Sequence, residues 1–200
     1  DHLPHAVLLD CTASDDVAQL HQLWLGNGMH VMTANKKANA GTLAQYQQIR
    51  ASATTGNARY LYEATVGAGL PIIKVLEDLQ ETGDRVHSIE GVFSGTLAYL
   101  FNSFDGSVPF SELVRDAWEL GYTEPDPRED LSGKDVARKL VILGREMGLE
   151  LSISDLHLNS LVPSGLPETD VDSFLEHLSQ FDKDMELQLQ RAQSQACVLR

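Results

Sequence analysis

The first clear pattern is a short continuous apolar run, Ala6 to Leu9, closed by Asp10, as in a strand inside a parallel sheet. A polar turn, Cys11–Ser14, follows. Asp15 and Asp16 then open a helix whose buried stripe is expected at Val17, Leu20, Leu23 and Trp24. Gly26-Asn27-Gly28 ends it, His30–Thr33 is a second strand, a second helix is predicted over 42–53, and Arg59–Glu63 reads as a third strand. A β-α-β-α-β order with short connections implies parallel pairing and right-handed crossovers. The expectation is an α/β fold that opens on a partial doubly wound, Rossmann-like parallel sheet.

After residue 63 the pattern changes. Thr65–Pro71 is a glycine-rich loop leading into a helix with an apolar face at Ile72, Val75, Leu76 and Leu79, stopped by Gly83-Asp84. Residues 86–93 alternate like a strand. Ser94-Gly95-Thr96 caps a helix through Phe101, and Pro109–Leu120 is another. A turn and a short strand are expected within 149–161, a loop at 162–167, and two helices over 171–194. This second part reads as an α+β domain. Both ends read as cut: the first strand has no lead-in, and 196–200 reads as a strand just starting.

The stretch Gly121–Lys139, GYTEPDPREDLSGKDVARK, stands apart. It holds five carboxylates and four cations within nineteen residues. Pro125 and Pro127 stiffen its first half. Val136, Leu140, Leu143 and Met147 mark one face of a helix that starts after Gly133. Asp135 and Lys139, four apart, project from one side of it. One reading is catalytic: acid, base and amine-binding groups converging with Glu124 and Asp130. The other is structural: Ser132 and Asp135 as a capping box, Asp135 and Lys139 as an exposed ion pair.

Charge narrows the field. Fifteen basic against 29 acidic residues give a net charge of −14, which argues against nucleic-acid or anionic-membrane partners. No apolar run is long enough to span a bilayer. Cys11 and Cys197 form no framework or metal spacing, so reduced thiols in a cytoplasmic setting are expected. The seven histidines do not cluster, and His21, His87, His157 and His177 read as surface or boundary residues. Ligands of doubly wound sheets sit at strand carboxyl ends, here Thr12–Ser14 and Asn35–Lys37. Lys36 there reads either as a carbonyl-polarising group or as an exposed turn lysine. Glu63–Leu70 reads either as an oxygen site for a cation or as a glycine turn. Gly67-Ala68-Gly69 does not complete G-x-G-x-x-G, because position 72 is Ile.

Four segments carry a family resemblance: Thr33–Ala38 (TANKKA), Glu63–Pro71 (EATVGAGLP), Gly91–Thr96 (GVFSGT) and the 121–139 stretch. Together they resemble homoserine dehydrogenase, specifically the dehydrogenase part of a bifunctional aspartokinase–homoserine dehydrogenase. Phe104–Phe110 is similar to the methionine-pathway form. The resemblance implies NADP- or NAD-dependent interconversion of L-homoserine and L-aspartate 4-semialdehyde. It implies Lys139 as general acid/base, Lys36 between cofactor and substrate, and Glu124, Asp130 and Asp135 around homoserine. It further implies Thr12 and Gly121 at the dinucleotide, and a sodium site of Glu63 with the carbonyls of Val66, Ala68 and Leu70. Residues 1–63 would be the later part of a truncated dinucleotide-binding domain. Residues 64–200 would be a catalytic domain that forms a homo-oligomer, with an aspartokinase domain elsewhere in the parent chain. Two rival readings are a non-catalytic assembly module and another semialdehyde-handling enzyme.

Overall fold

A computed structural model describes residues 5–164, 166 and 169–199. Gly165 and Pro167 of the expected 162–167 loop, and Arg200 of the expected final strand, lie outside them. The chain divides into two compact units, Asp1–Glu90 with Ala137–His157, and Gly91–Val136 with Leu158–Arg200.

The first unit is built on a three-stranded parallel sheet in the order β1 (Val7–Asp10), β2 (His30–Thr33), β3 (Tyr60–Leu61). Leu9 pairs with Met32 and Met32 with Leu61. β3 is shorter than expected because the Tyr62 backbone (φ −136°, ψ 26°) has left the extended region, and Glu63–Thr65 form a single 3-10 turn. Helices α1 (Asp15–Gly26), α2 (Lys36–Ala40) and α3 (Leu43–Thr55) pack on one another, and α1 packs on β2. One sheet face, with Asp10, Val31, Thr33 and Tyr60, is buried. The other is open: Val7, Leu9, Met32 and Leu61 are 44–64% exposed. The continuous apolar run of β1 therefore does not mean burial on both sides.

Helix phases depart from the apolar spacing. In α1 the buried residues are Ala18, His21 and Leu25, while Leu20 and Leu23 are exposed. In α4 (Ile72–Glu81) they are Ile73 and Leu76, with Val75 exposed. In each case a helix buries the side that meets its neighbours, and the local spacing allowed two stripes. α8 (Lys134–Glu146) buries Ala137 and Val141–Arg145, so of the expected face only Leu143 is fully covered. The boundary between the units falls inside α8.

The second unit holds α5 (Gly95–Ser103), α6 (Phe110–Glu119), α7 (Arg128–Leu131), α9 (Val171–Leu178) and α10 (Asp182–Ser194). Ser94 caps α5 by accepting from the Leu97 amide, and Asp170 caps α9 through Ser173. The core joins Leu100, Phe104, Phe110, Val114, Leu131 and Phe174, with Phe104 edge-on to Phe110 at 5.3 Å. The strands expected at 86–93, within 149–161 and at 196–199 are not formed; a strand needs a paired neighbour, and no described segment supplies one. The 149–161 stretch contains a 3-10 turn, Ile153–Asp155. No helix among the described residues is long and apolar enough to cross a membrane.

Candidate active site

In the first unit two of the expected site residues, Thr12 and Lys36, lie just after the carboxyl ends of β1 and β2. Asp10 ends β1 with its side chain fully buried. Its Oδ1 accepts from the Thr12 amide (2.9 Å) and hydroxyl (2.7 Å). Its Oδ2 accepts from His21 Nε2 (2.9 Å), Asn35 Nδ2 (3.1 Å) and the Thr33 hydroxyl (3.2 Å). Burial opposes the charge, but hydrogen bonds from Thr12, His21 and Asn35 outweigh it and hold the carboxyl at about 2. Asn35 caps α2 by accepting from the Lys37 amide, and its Nδ2 also reaches the Ser14 carbonyl at 2.9 Å. Lys36 is therefore the first residue of a short helix rather than part of a loose turn, and it is half-buried. Lys37 pairs with Asp15 at 2.6 Å.

His21 corrects a sequence expectation. It is buried, and both ring nitrogens are engaged: Nε2 with Asp10 and Nδ1 with the Tyr60 hydroxyl at 3.1 Å. The Tyr60 oxygen also accepts from Asn39 Nδ2 at 3.2 Å. Burial pulls the His21 pKa below its ordinary value, although Asp10 raises it. The signal was present in the sequence: His21 lies three residues after Ala18 and four before Leu25, on the stripe that α1 buries. His87, His157 and His177 are exposed, as expected.

Glu63 also belongs to the first unit. Its carboxylate accepts from the Ile73 (2.7 Å) and Lys74 (3.0 Å) amides and so caps α4. Gly67 and Ala68 take positive φ (80° and 53°) between Val66 and Leu70, and the Leu70 carbonyl accepts from the Ile72 amide. Lys139 lies half-buried on α8.

In the second unit the 121–135 stretch is braced from within. Gly121 (φ 72°) ends α6, its amide bonded to the Trp118 carbonyl, and the Tyr122 amide reaches Ala117. Asp130 is the organiser. Its Oδ2 accepts from the Glu124 amide at 2.8 Å, and its Oδ1 lies 3.0 Å from the Thr96 hydroxyl, which also reaches the Tyr122 carbonyl at 2.7 Å. The Glu124 side chain is left exposed. In the sequence Thr96 is only part of a cap motif, yet its hydroxyl ties α5 to this loop. Arg128 grips Asp126 through Nε and Nη2, donates Nη1 to the Thr169 carbonyl, and lies 5.3 Å from the Phe174 ring. The Arg128 hydrogen bonds hold the Asp126 carboxyl below its usual range. Ser132 closes α7; its hydroxyl donates to the Glu129 carbonyl and accepts from the Lys134 amide at the start of α8. Asp135 sits in the first turn of α8, one turn before Lys139. A cleft of about 590 Å³ in this unit is lined by Asp126, Arg128, Glu129, Ser132 and Lys134 among others, not by Gly121, Glu124, Asp130 or Asp135.

Two family models match the chain: "Homoserine dehydrogenase, NAD binding domain" over residues 1–63 and "Homoserine dehydrogenase" over residues 71–200. The chloroplastic bifunctional aspartokinase/homoserine dehydrogenase 2 of Zea mays is 52% identical over 198 residues, 98% of this chain and 22% of that protein. A Candida auris protein of unknown function has a crystal structure that matches with a TM-score of 0.92 at 39% identity, covering 98% of this chain and 57% of that one. A hyperthermophilic archaeal homoserine dehydrogenase in complex with NADPH matches with a TM-score of 0.61 at 28% identity, covering 70% of this chain and 43% of that one. The chain thus spans about a fifth of the maize relative's length.

Proposed function

The chain belongs to the homoserine dehydrogenase family, and on that premise we propose that it interconverts L-homoserine and L-aspartate 4-semialdehyde. The observation that carries this reading is the 121–139 stretch: Asp130 fixes the Glu124 backbone, and α8 holds Asp135 and Lys139 one turn apart.

Thr12 and Gly121 would hold a nicotinamide dinucleotide, NADP or NAD, which would supply the hydride acceptor for the carbinol carbon. Exposed residues at the carboxyl ends of β1 and β2 suit such a ligand. In the oxidation direction Lys139 Nζ takes the hydroxyl proton as the carbonyl forms, and in reduction it returns that proton. Lys36 polarises the same oxygen. Glu124 and Asp135 receive the substrate ammonium, since a cation in an apolar surrounding needs carboxylate partners. Asp130 contributes by fixing Glu124. Glu63 and the carbonyls of Val66, Ala68 and Leu70 would supply only oxygen donors, the kind a sodium ion takes, with Glu63 sharing its oxygens between that ion and the Ile73 and Lys74 amides.

Residues 1–63 are assigned to dinucleotide binding and 64–200 to catalysis and self-association in a cytoplasmic homo-oligomer. An aspartokinase domain on the same polypeptide, as in the maize relative's name, and the methionine branch of the pathway complete the reading.

The test is consumption of NADPH or NADH by the full-length protein with aspartate semialdehyde, set against a panel of other aldehydes. Lys139→Met should lower kcat by about 10²–10⁴ with the circular dichroism spectrum unchanged. Near-normal turnover by that variant would remove Lys139 from the chemistry, and equal rates with other aldehydes would remove homoserine as the substrate.

A further inference from the structure

We propose that Asp10 is a positioning residue for the dinucleotide: one buried carboxylate locks the turn after β1 and the start of α2 into the geometry the cofactor meets. This assignment rests on the dehydrogenase reading above.

Five donors converge on the carboxylate from four places: the Thr12 amide and hydroxyl, His21 of α1, Thr33 at the end of β2, and Asn35 before α2. Thr12 and Ser14 are further tied, because the Ser14 amide donates to the Thr12 hydroxyl at 3.2 Å. Asn35 joins both sides by donating to Asp10 and to the Ser14 carbonyl, while its own amide donates to the Thr33 hydroxyl at 2.9 Å. The residue that follows Asn35 is Lys36. The two strand ends assigned to the cofactor are therefore held as one piece.

Stability alone does not call for a carboxylate here. Taking a charge out of water costs several kcal/mol, and well-packed apolar groups often serve a fold as well. What the charge adds is direction: it orders Thr12 and Asn35 before a ligand arrives, which removes an ordering cost from binding. A second line of residues keeps the carboxylate in place. His21 Nε2–H donates to Asp10, the Tyr60 hydroxyl donates to Nδ1, and Asn39 Nδ2 donates to the Tyr60 oxygen. Asn39 Oδ1 ends this line as a buried acceptor with no hydrogen-bond partner.

The experiment measures NADPH affinity of the full-length protein by calorimetry, together with melting temperature and kcat. Asp10→Asn keeps the shape but replaces an acceptor oxygen by a donor. It should weaken NADPH about tenfold, the worth of one charge-assisted hydrogen bond, while the homoserine KM holds. Thr12→Val, on an exposed residue, should weaken NADPH similarly, and the double variant should be no worse than the weaker single. Tyr60→Phe removes both hydrogen bonds behind His21, to its Nδ1 and from Asn39; it should lower the melting temperature and leave NADPH affinity within about twofold. Wild-type affinity in Asp10→Asn, or additive losses in the double variant, would overturn the assignment. So would an equal loss of affinity in Tyr60→Phe. If Asp10→Asn does not fold, Thr12→Val decides, and wild-type affinity there overturns it. A wild-type protein that binds no dinucleotide would overturn the dehydrogenase reading and this assignment with it, whereas an active wild type with an indifferent Asp10→Asn would overturn this assignment alone.

Discussion

Arg145→Met tests how α8 is held in the first unit. Arg145 is 4% exposed. Its Nε donates to the Leu151 carbonyl (2.9 Å), Nη1 to the Asn39 carbonyl (2.6 Å) and Nη2 to the Gly41 carbonyl (2.9 Å), and its guanidinium lies 5.2 Å from the Tyr46 ring centroid. Its partners are carbonyl dipoles rather than a carboxylate, so burial dominates and lowers its pKa from the usual arginine value. Methionine keeps most of the stem volume and removes the charge and all three donors. Hydrogen bonds to a charged group are worth roughly 1.5–3 kcal/mol each net of desolvation. The three share one guanidinium, so their losses do not add. The net cost should be about 3 kcal/mol, a large share of the 5–15 kcal/mol typical of a domain. With a urea slope of about 2 kcal/mol/M, the midpoint should fall by about 1.5 M. Trp24 in the first unit reports this, measured in a Trp118→Phe background that silences the second tryptophan. Arg145→Lys keeps the charge without the planar fork and should fall between the two. A loss within about 0.5 kcal/mol of wild type in Arg145→Met, the range of an ordinary surface substitution, would refute the reasoning. So would identical losses in the two variants.

Gly56→Ala should cost about 1–3 kcal/mol, because a Cβ there would lie 1.9 Å from the Leu25 carbonyl oxygen and force α1 away from the end of α3. Gly26→Ala, whose Cβ would meet only Ser52 at 3.9 Å, should be neutral within about 0.5 kcal/mol; equal melting temperatures for the two variants would contradict the packing. Stability should also fall with acid in two stages. The folded-state pKa values of His21 and Asp10 both lie below their ordinary values of 6.5 and 3.8, so the unfolded chain binds the extra protons. His21's contribution is complete above pH 6.5 and declines as pH falls below it. Asp10's is complete above pH 3.8 and declines as pH falls toward 2. Urea midpoints measured against pH should show the lower stage vanish in Asp10→Asn, and parallel curves for wild type and variant below pH 4 would refute it.

Much of the architecture was legible in the sequence, because its cues are local. Apolar runs and their spacing located β1, β2 and α1, and a hydroxyl cap located the start of α5. The spacing of Asp135 and Lys139 placed both on one side of α8. Burial was not local. Leu20 and Leu23 matched a helical stripe as well as Ala18, His21 and Leu25 did, and only the packing of α1 on β2 and α3 decided which side was covered. Residues 86–93 alternate like a strand but lack a described partner, and a strand exists only in a ladder. The Asp10 network lay furthest from view. His21 is 11 residues from Asp10, Asn35 is 25 from it, and Tyr60 is 39 from His21. Each alone reads as an ordinary polar residue of a helix, turn or strand. Parallel pairing of β1 with β2 and β2 with β3, with α1 laid against β2, puts them within hydrogen-bond reach. The sequence determined which groups are available, and the crossover connections of the sheet decided which of them meet.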